Sequence, residues 1–165
     1  MSEKYPQHKR LRLKEFDYSN NNYYFVTICM KVKKPFLSRI VNEKTILTKY
    51  GEIVSEIWNN LPKYYPCELD DFIVMPEHLH GILILDNKSK SDKKLTLSGI
   101  IQRFKTFSTK KVNESLDEKE KFYWQKSFYE RIIRNERELY QIRKYIQLNP
   151  LKWEFENDLP DNLEL

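Results

Sequence analysis

The run Phe72-Ile-Val-Met-Pro-Glu-His-Leu-His-Gly-Ile-Leu-Ile-Leu85 constrains this chain more than any other stretch. Pro76-Glu77 breaks it into two strand segments, predicted over Leu69–Met75 and His78–Leu85. The second becomes apolar on both faces after its histidines, so it needs cover above and below and belongs in the middle of a sheet. His78 and His80, two of only three histidines in 165 residues, stand at its mouth. Their period-2 spacing puts both imidazoles on one face. That is the geometry of a metal-binding pair, but also of two polar residues at a strand end, since a divalent ion needs further donors or water and substrate oxygens.

Around this run the chain alternates between strand and helix patterns. Tyr23-Tyr-Phe-Val-Thr-Ile-Cys-Met30, aromatic and β-branched, predicts a buried strand, with Pro35 near a turn and Thr45–Thr48 returning as its hairpin partner. Ile53, Val54, Ile57, Trp58 and Leu61 share one arc of a helix that Pro62 is expected to end. A second helix would turn Leu97, Ile100, Ile101, Phe104 and Phe107 inward. A strand over Phe128–Ile133 leads to a third helix, N-capped by Asn135 with Glu138 three residues on, and expected to stop at Asn149 before Pro150. This order predicts an α+β fold: a ferredoxin-like, RRM-like antiparallel sheet with helices packed mainly on one face. Residues 1–21 read as a basic arm, 22–152 as one catalytic domain and 153–165 as an acidic tail.

Charge narrows the partners. All 29 lysines and arginines but only 19 of the 24 acids precede Trp153, leaving residues 1–152 at +10. So basic a body suits a polyanion, though a lysine-rich soluble surface has the same composition. The two cysteines, Cys29 and Cys67, lack the spacing of a zinc site or disulfide framework, and no signal or membrane-length apolar segment occurs. A cytoplasmic setting without membrane attachment is the expectation.

In Tyr145-Ile-Gln-Leu-Asn-Pro150, Tyr145 and Asn149 are four residues apart on the third helix, at the edge of an inward face made by Leu139, Ile142 and Ile146. Such an edge suits site residues, and it equally suits packing residues with a wet hydroxyl.

Four segments together resemble the REP-associated tyrosine transposases, single-tyrosine HUH enzymes related to the transposases of small single-strand insertion sequences. They are Tyr18-Ser19 with Tyr24–Cys29; Val74-Met-Pro-Glu-His-Leu-His-Gly81; Trp124–Tyr129 with Ile132–Asn135; and Arg143–Pro150. The resemblance implies a catalytic Tyr145, a Mg²⁺ or Mn²⁺ ion held by His78 and His80 with Asn149 as third ligand, and single-stranded or hairpin DNA as substrate. It further implies attack that leaves a 5′-phosphotyrosine and a free 3′-OH, so that rejoining needs no ATP. A phenol with a pKa of ~10 is protonated at neutral pH and needs such a metal's help.

For phosphate contacts the basic candidates are Arg10, Arg12, Lys14, Arg103, Lys105 and Lys110; Tyr23, Tyr123, Trp124 and Phe128 are candidates for base stacking or for the core. Arg131 stands where relatives often have a histidine. A monomer and a homodimer both fit. The competing expectations are a nucleic-acid-binding module that keeps the fold without cleaving, and a metal-dependent phosphodiesterase that activates water.

Overall fold

The computed structural model describes residues 22–85 and 95–158. Its centre is a four-stranded, fully antiparallel sheet of order β4-β5-β1-β6, formed by β1 (Tyr23–Cys29), β4 (Cys67–Val74), β5 (His78–Leu85) and β6 (Tyr129–Ile133). As expected for a strand apolar on both faces, β5 is internal. The helices are α1 (Lys49–Asn59), the short α2 (Leu61–Tyr64), α3 (Leu97–Glu114) and α4 (Glu136–Asp158).

Alternation along the strands sorts the core into two layers. Tyr24, Val26 and Ile28 of β1 and Leu79, Leu83 and Leu85 of β5 face α1 and α3, meeting Val54, Trp58, Ile100 and Phe104. Gly81 is required on this face, because a Cβ there would stand 2.5 Å from Cζ2 of Trp58. Phe25, Ile82 and Ile133 face the other way and meet Ile142 and Ile146 of α4. Two of the three long helices thus cover one face and α4 crosses the second.

Four local expectations are corrected. Thr45–Leu47 does not pair with β1, whose edges are both taken by β5 and β6. It lies in β3 (Lys44–Leu47), which pairs with β2 (Ser38–Val41) in a separate hairpin. The turn residues Asn42 and Glu43 have φ of 49° and 63°, the left-handed pair of a tight two-residue connection. Pro62 does not end α1, whose C-cap is Asn60; it lies in the first turn of α2, where its missing N–H costs nothing. Phe107 is 53% exposed, and Ser108 is buried in its place. The Ser108 hydroxyl donates to the Phe104 carbonyl and accepts from Trp124 Nε1, at 2.7 and 2.8 Å. Finally, α4 does not stop at Asn149 but passes through Pro150 to Asp158. Contacts beyond the proline offset the lost hydrogen bond: the Trp153 ring packs near His78, and the Glu154 carboxylate accepts from the Glu43 N–H at 2.6 Å.

Candidate active site

The register that builds the sheet also assembles the site. On the α4 face, Cys29 lies opposite His78 and Thr27 opposite His80. His80 Nδ1 is 2.8 Å from Thr27 Oγ1, and the two histidine Nε2 atoms are 3.0 Å apart. With its proton on Nδ1, donated to the threonine hydroxyl, His80 presents an Nε2 lone pair toward the point that His78 Nε2 also faces. Both rings are buried. Burial, reinforced by the positive Lys33, pushes His78 down to about 3. Burial, then His78 and Lys152, holds His80 well below its ordinary value. Both are neutral at physiological pH, the form in which imidazole ligates a metal.

The donor set fits a divalent ion. Two adjacent donors, each about 2.1 Å from a six-coordinate ion, lie about 3.0 Å apart, which is the Nε2 separation found. Among the described residues no group of three or more His, Cys, Asp or Glu side chains is arranged to hold a metal. A further protein donor here would have to be an amide or hydroxyl oxygen, and Asn149 on α4 is a buried amide on the helix that crosses this face.

Tyr145, Asn149 and Trp153 follow one another at four-residue spacing on α4 and line up along one side of it. The Tyr145 ring lies 5.3 Å from His80 and edge-on to Phe25 at 5.9 Å, while Trp153 lies 6.2 Å from His78. Asn149, buried, occupies the turn between the rings that cover the two histidines. Tyr145 itself is 37% exposed, reachable by a polymer, with Lys152 Nζ 5.9 Å from its ring centre.

A register shift in β4 between Leu69 and Phe72 anchors this helix. It turns Asp70 and Asp71 toward α4, where Arg143 grips both Asp70 oxygens, its Nε at 2.8 Å, and Gln147 donates to Asp71 at 2.9 Å. These polar contacts flank Tyr145 on the sequence and fix its height above the sheet. Hydrogen bonding to Arg143 holds the Asp70 carboxyl below the ordinary carboxylate value.

The phosphate candidates separate into three groups. Arg10, Arg12 and Lys14 lie outside the described residues. Arg103 and Lys110 are exposed on α3. Lys105 is turned inward: its Nζ donates to the carbonyls of Gln125, Lys126 and Ser127 at 2.9, 3.4 and 3.0 Å. Of the aromatic candidates, Trp124 is core and Phe128 is half-buried beneath Lys105, whereas Tyr23 and Tyr123 are exposed. Arg131 pairs with Glu138 at 3.5 Å.

Sequence reasoning missed Thr27 and Trp153. Thr27 announces itself as the one aliphatic hydroxyl in a strand otherwise made of aromatic, aliphatic and cysteine side chains, but its partner is 53 residues away. Trp153 continues the four-residue series from Tyr145, and only the expected helix end at Pro150 hid it.

The described helices include none long and apolar enough to cross a membrane. The family model described as "Transposase IS200 like" matches residues 17–149. An uncharacterized protein of Haemophilus influenzae is 35% identical, over 89% of this chain and 91% of its own. A second protein of that organism, named as a REP-associated tyrosine transposase, is 22% identical over 82% of this chain and 74% of its own. Among solved structures, a REP-associated tyrosine transposase bound to a REP hairpin superposes with a TM-score of 0.63 at 22% identity, covering 87% of this chain and 74% of that one. A Deinococcus radiodurans protein described as a transposase reaches 0.53 at 16% identity, covering 85% and 96%. These two likenesses establish the fold, and the resemblance drawn from the sequence motifs is borne out. The chain belongs to the IS200-like transposase family, whose activity is DNA transposition.

Proposed function

We propose that this protein is a metal-dependent single-tyrosine transposase that nicks and rejoins single-stranded, hairpin-forming DNA of the REP type in the cytoplasm, through a 5′-phosphotyrosine on Tyr145. The observation that carries the reading is the convergence of two buried, neutral imidazoles, Nε2 to Nε2 at 3.0 Å, beneath an accessible tyrosine ring. His78 and His80, with the Asn149 amide oxygen, would hold Mg²⁺ or Mn²⁺. When bound, that ion polarises the scissile phosphate and offsets the charge that develops in the displacement.

The chain's own residues supply the rest. Tyr145 Oη attacks phosphorus; the Oη–P bond forms as the P–O3′ bond breaks, the phenol gives up its proton, and the departing 3′ oxygen gains one. Because one phosphodiester replaces another, the reverse attack by a 3′-OH reseals DNA without ATP. Thr27 keeps the His80 ring in its ligating orientation. Arg143 and Gln147 hold α4 against the sheet and so keep Tyr145 beside the histidines, an arrangement that serves a monomer or a homodimer. Exposed Lys110 would meet phosphates together with the basic arm, and so would Arg103, whose guanidinium already donates to the Gly99 carbonyl at 3.2 Å and lies over the Tyr65 ring.

The test uses labelled hairpin DNA with single-stranded flanks. In Mn²⁺, denatured protein should retain label; EDTA or His80→Ala should abolish that label while hairpin binding survives. Equal adduct yield in EDTA would exclude the metal's role, and binding without adduct under any condition would mark a module that only binds DNA.

A further inference from the structure

A second basic and aromatic feature lies off the histidine site. After β1 the chain turns through Met30–Phe36, and opposite it runs the segment that follows α3. Between them is a recess of about 240 Å³, framed by Lys31, Lys34, Phe36, Lys119, Lys121 and Tyr123. Four lysines there face a single acid, Glu120. The volume falls below the range of about 300–1,000 Å³ typical of sites for drug-sized ligands. It suits one planar ring system rather than a duplex.

The walls are preformed. Asn113 brackets the Phe122 backbone, its amide donating to the carbonyl at 3.0 Å and its oxygen accepting from the N–H at 2.7 Å. The Lys31 N–H donates to the Tyr123 carbonyl at 2.9 Å, tying the two sides together. Phe36 is stacked between Tyr50 and Phe122, with ring centres 4.5 and 5.6 Å away. Tyr123 has no such sandwich: it is 50% exposed, with Lys31 Nζ 6.0 Å from its ring centre. A ligand would find the aromatic and cationic groups already placed, so little ordering cost is incurred on binding.

The recess also adjoins the site. The Met30 N–H donates to the Glu77 carbonyl at 2.9 Å, one residue from His78. Lys33 lies in the same turn as Lys31 and Lys34. Positive charge therefore runs from the end of the sheet that holds the histidines round to the recess. An anionic polymer with flat, unpaired rings matches both halves of this chemistry: lysines for its phosphates, an open aromatic face for a base.

We propose that this recess is a subsite for one unpaired nucleotide of a single-stranded DNA segment leaving the histidine site, its base on Tyr123 and its phosphates among Lys31, Lys34, Lys119 and Lys121. The identity of the strand rests on the transposase reading above; the subsite itself rests on the recess.

Binding by the full chain, without divalent metal so that nothing is cut, is measured on a blunt hairpin and on hairpins extended by a short single strand at either end. Tyr123→Ala, and separately the double variant Lys119→Ala with Lys121→Ala, should weaken binding of an extended hairpin roughly 5- to 10-fold. Neither should change binding of the blunt hairpin, which also serves as the control for folding. Tyr123→Trp, which keeps a stacking face, should restore the affinity. No loss, or equal loss on blunt and extended DNA, would overturn the subsite. Adduct formation by the unaltered protein is read in parallel: its failure would count against the cleavage mechanism and leave extension-dependent binding to decide the subsite alone.

Discussion

The proposed chemistry of this protein rests on a few side chains, each argued from what it touches. Thr27 is the clearest case, a buried hydroxyl 2.8 Å from His80 Nδ1. Thr27→Val keeps the shape and removes the partner, so Mn²⁺ affinity measured by calorimetry should fall by about 10- to 100-fold while the fold persists; unchanged affinity would deny it an orienting role. The strand face shared by His78 and His80 and the helix shared by Tyr145 and Asn149 were legible because their spacing carries meaning within one strand or one helix. Thr27 was not, because strand pairing, and not local sequence, brings it to His80. Trp153 was lost to a local rule. Proline disfavours the helical region in the residue before it, and packing near His78 overrode that preference.

At the level of elements, strand alternation and helix periodicity gave β1, β4, β5, β6 and the bodies of the helices, while pairing and boundaries were less legible. The β2–β3 hairpin went unseen because its turn, Asn42-Glu43, lacks the glycine that normally signals left-handed geometry. Gly81 shows how element packing sets a residue: Gly81→Ala would drive a methyl into Trp58, which is fully buried. Denaturant titration should show a loss of about 1–3 kcal/mol, and an unchanged midpoint would mean that Trp58 yields without cost. The attachment of α4 to β4 has a pH signature. The Asp70 carboxyl is held down first by its hydrogen bond to Arg143. The stabilisation is therefore fully present above the unfolded carboxylate pKa of about 3.9 and is lost as pH falls through the lower folded value. Thermal unfolding between neutral and strongly acidic pH should steepen in the native protein relative to Asp70→Asn; superimposable profiles would remove this pair from the account.

For the whole molecule, the two core layers on the sheet are built of apolar side chains and include neither His78 nor His80. Chelation should therefore abolish DNA joining and leave circular dichroism and the unfolding temperature nearly unchanged; unfolding in EDTA would make the ion structural. The strongly basic balance was visible as composition, but its distribution was not. Lys105 spends its charge on three loop carbonyls, while lysines around Tyr123 gather where no motif announced them. The proposed mechanism stands or falls on the covalent bond from Tyr145 to DNA. Its most direct test is mass spectrometry of the proteolysed adduct formed with hairpin DNA in Mn²⁺. A nucleotide-bearing phosphate should appear on the peptide that contains Tyr145 and be absent from Tyr145→Phe protein that still binds the hairpin; a modified peptide elsewhere, or normal adduct yield from Tyr145→Phe, would rule out Tyr145 as the nucleophile.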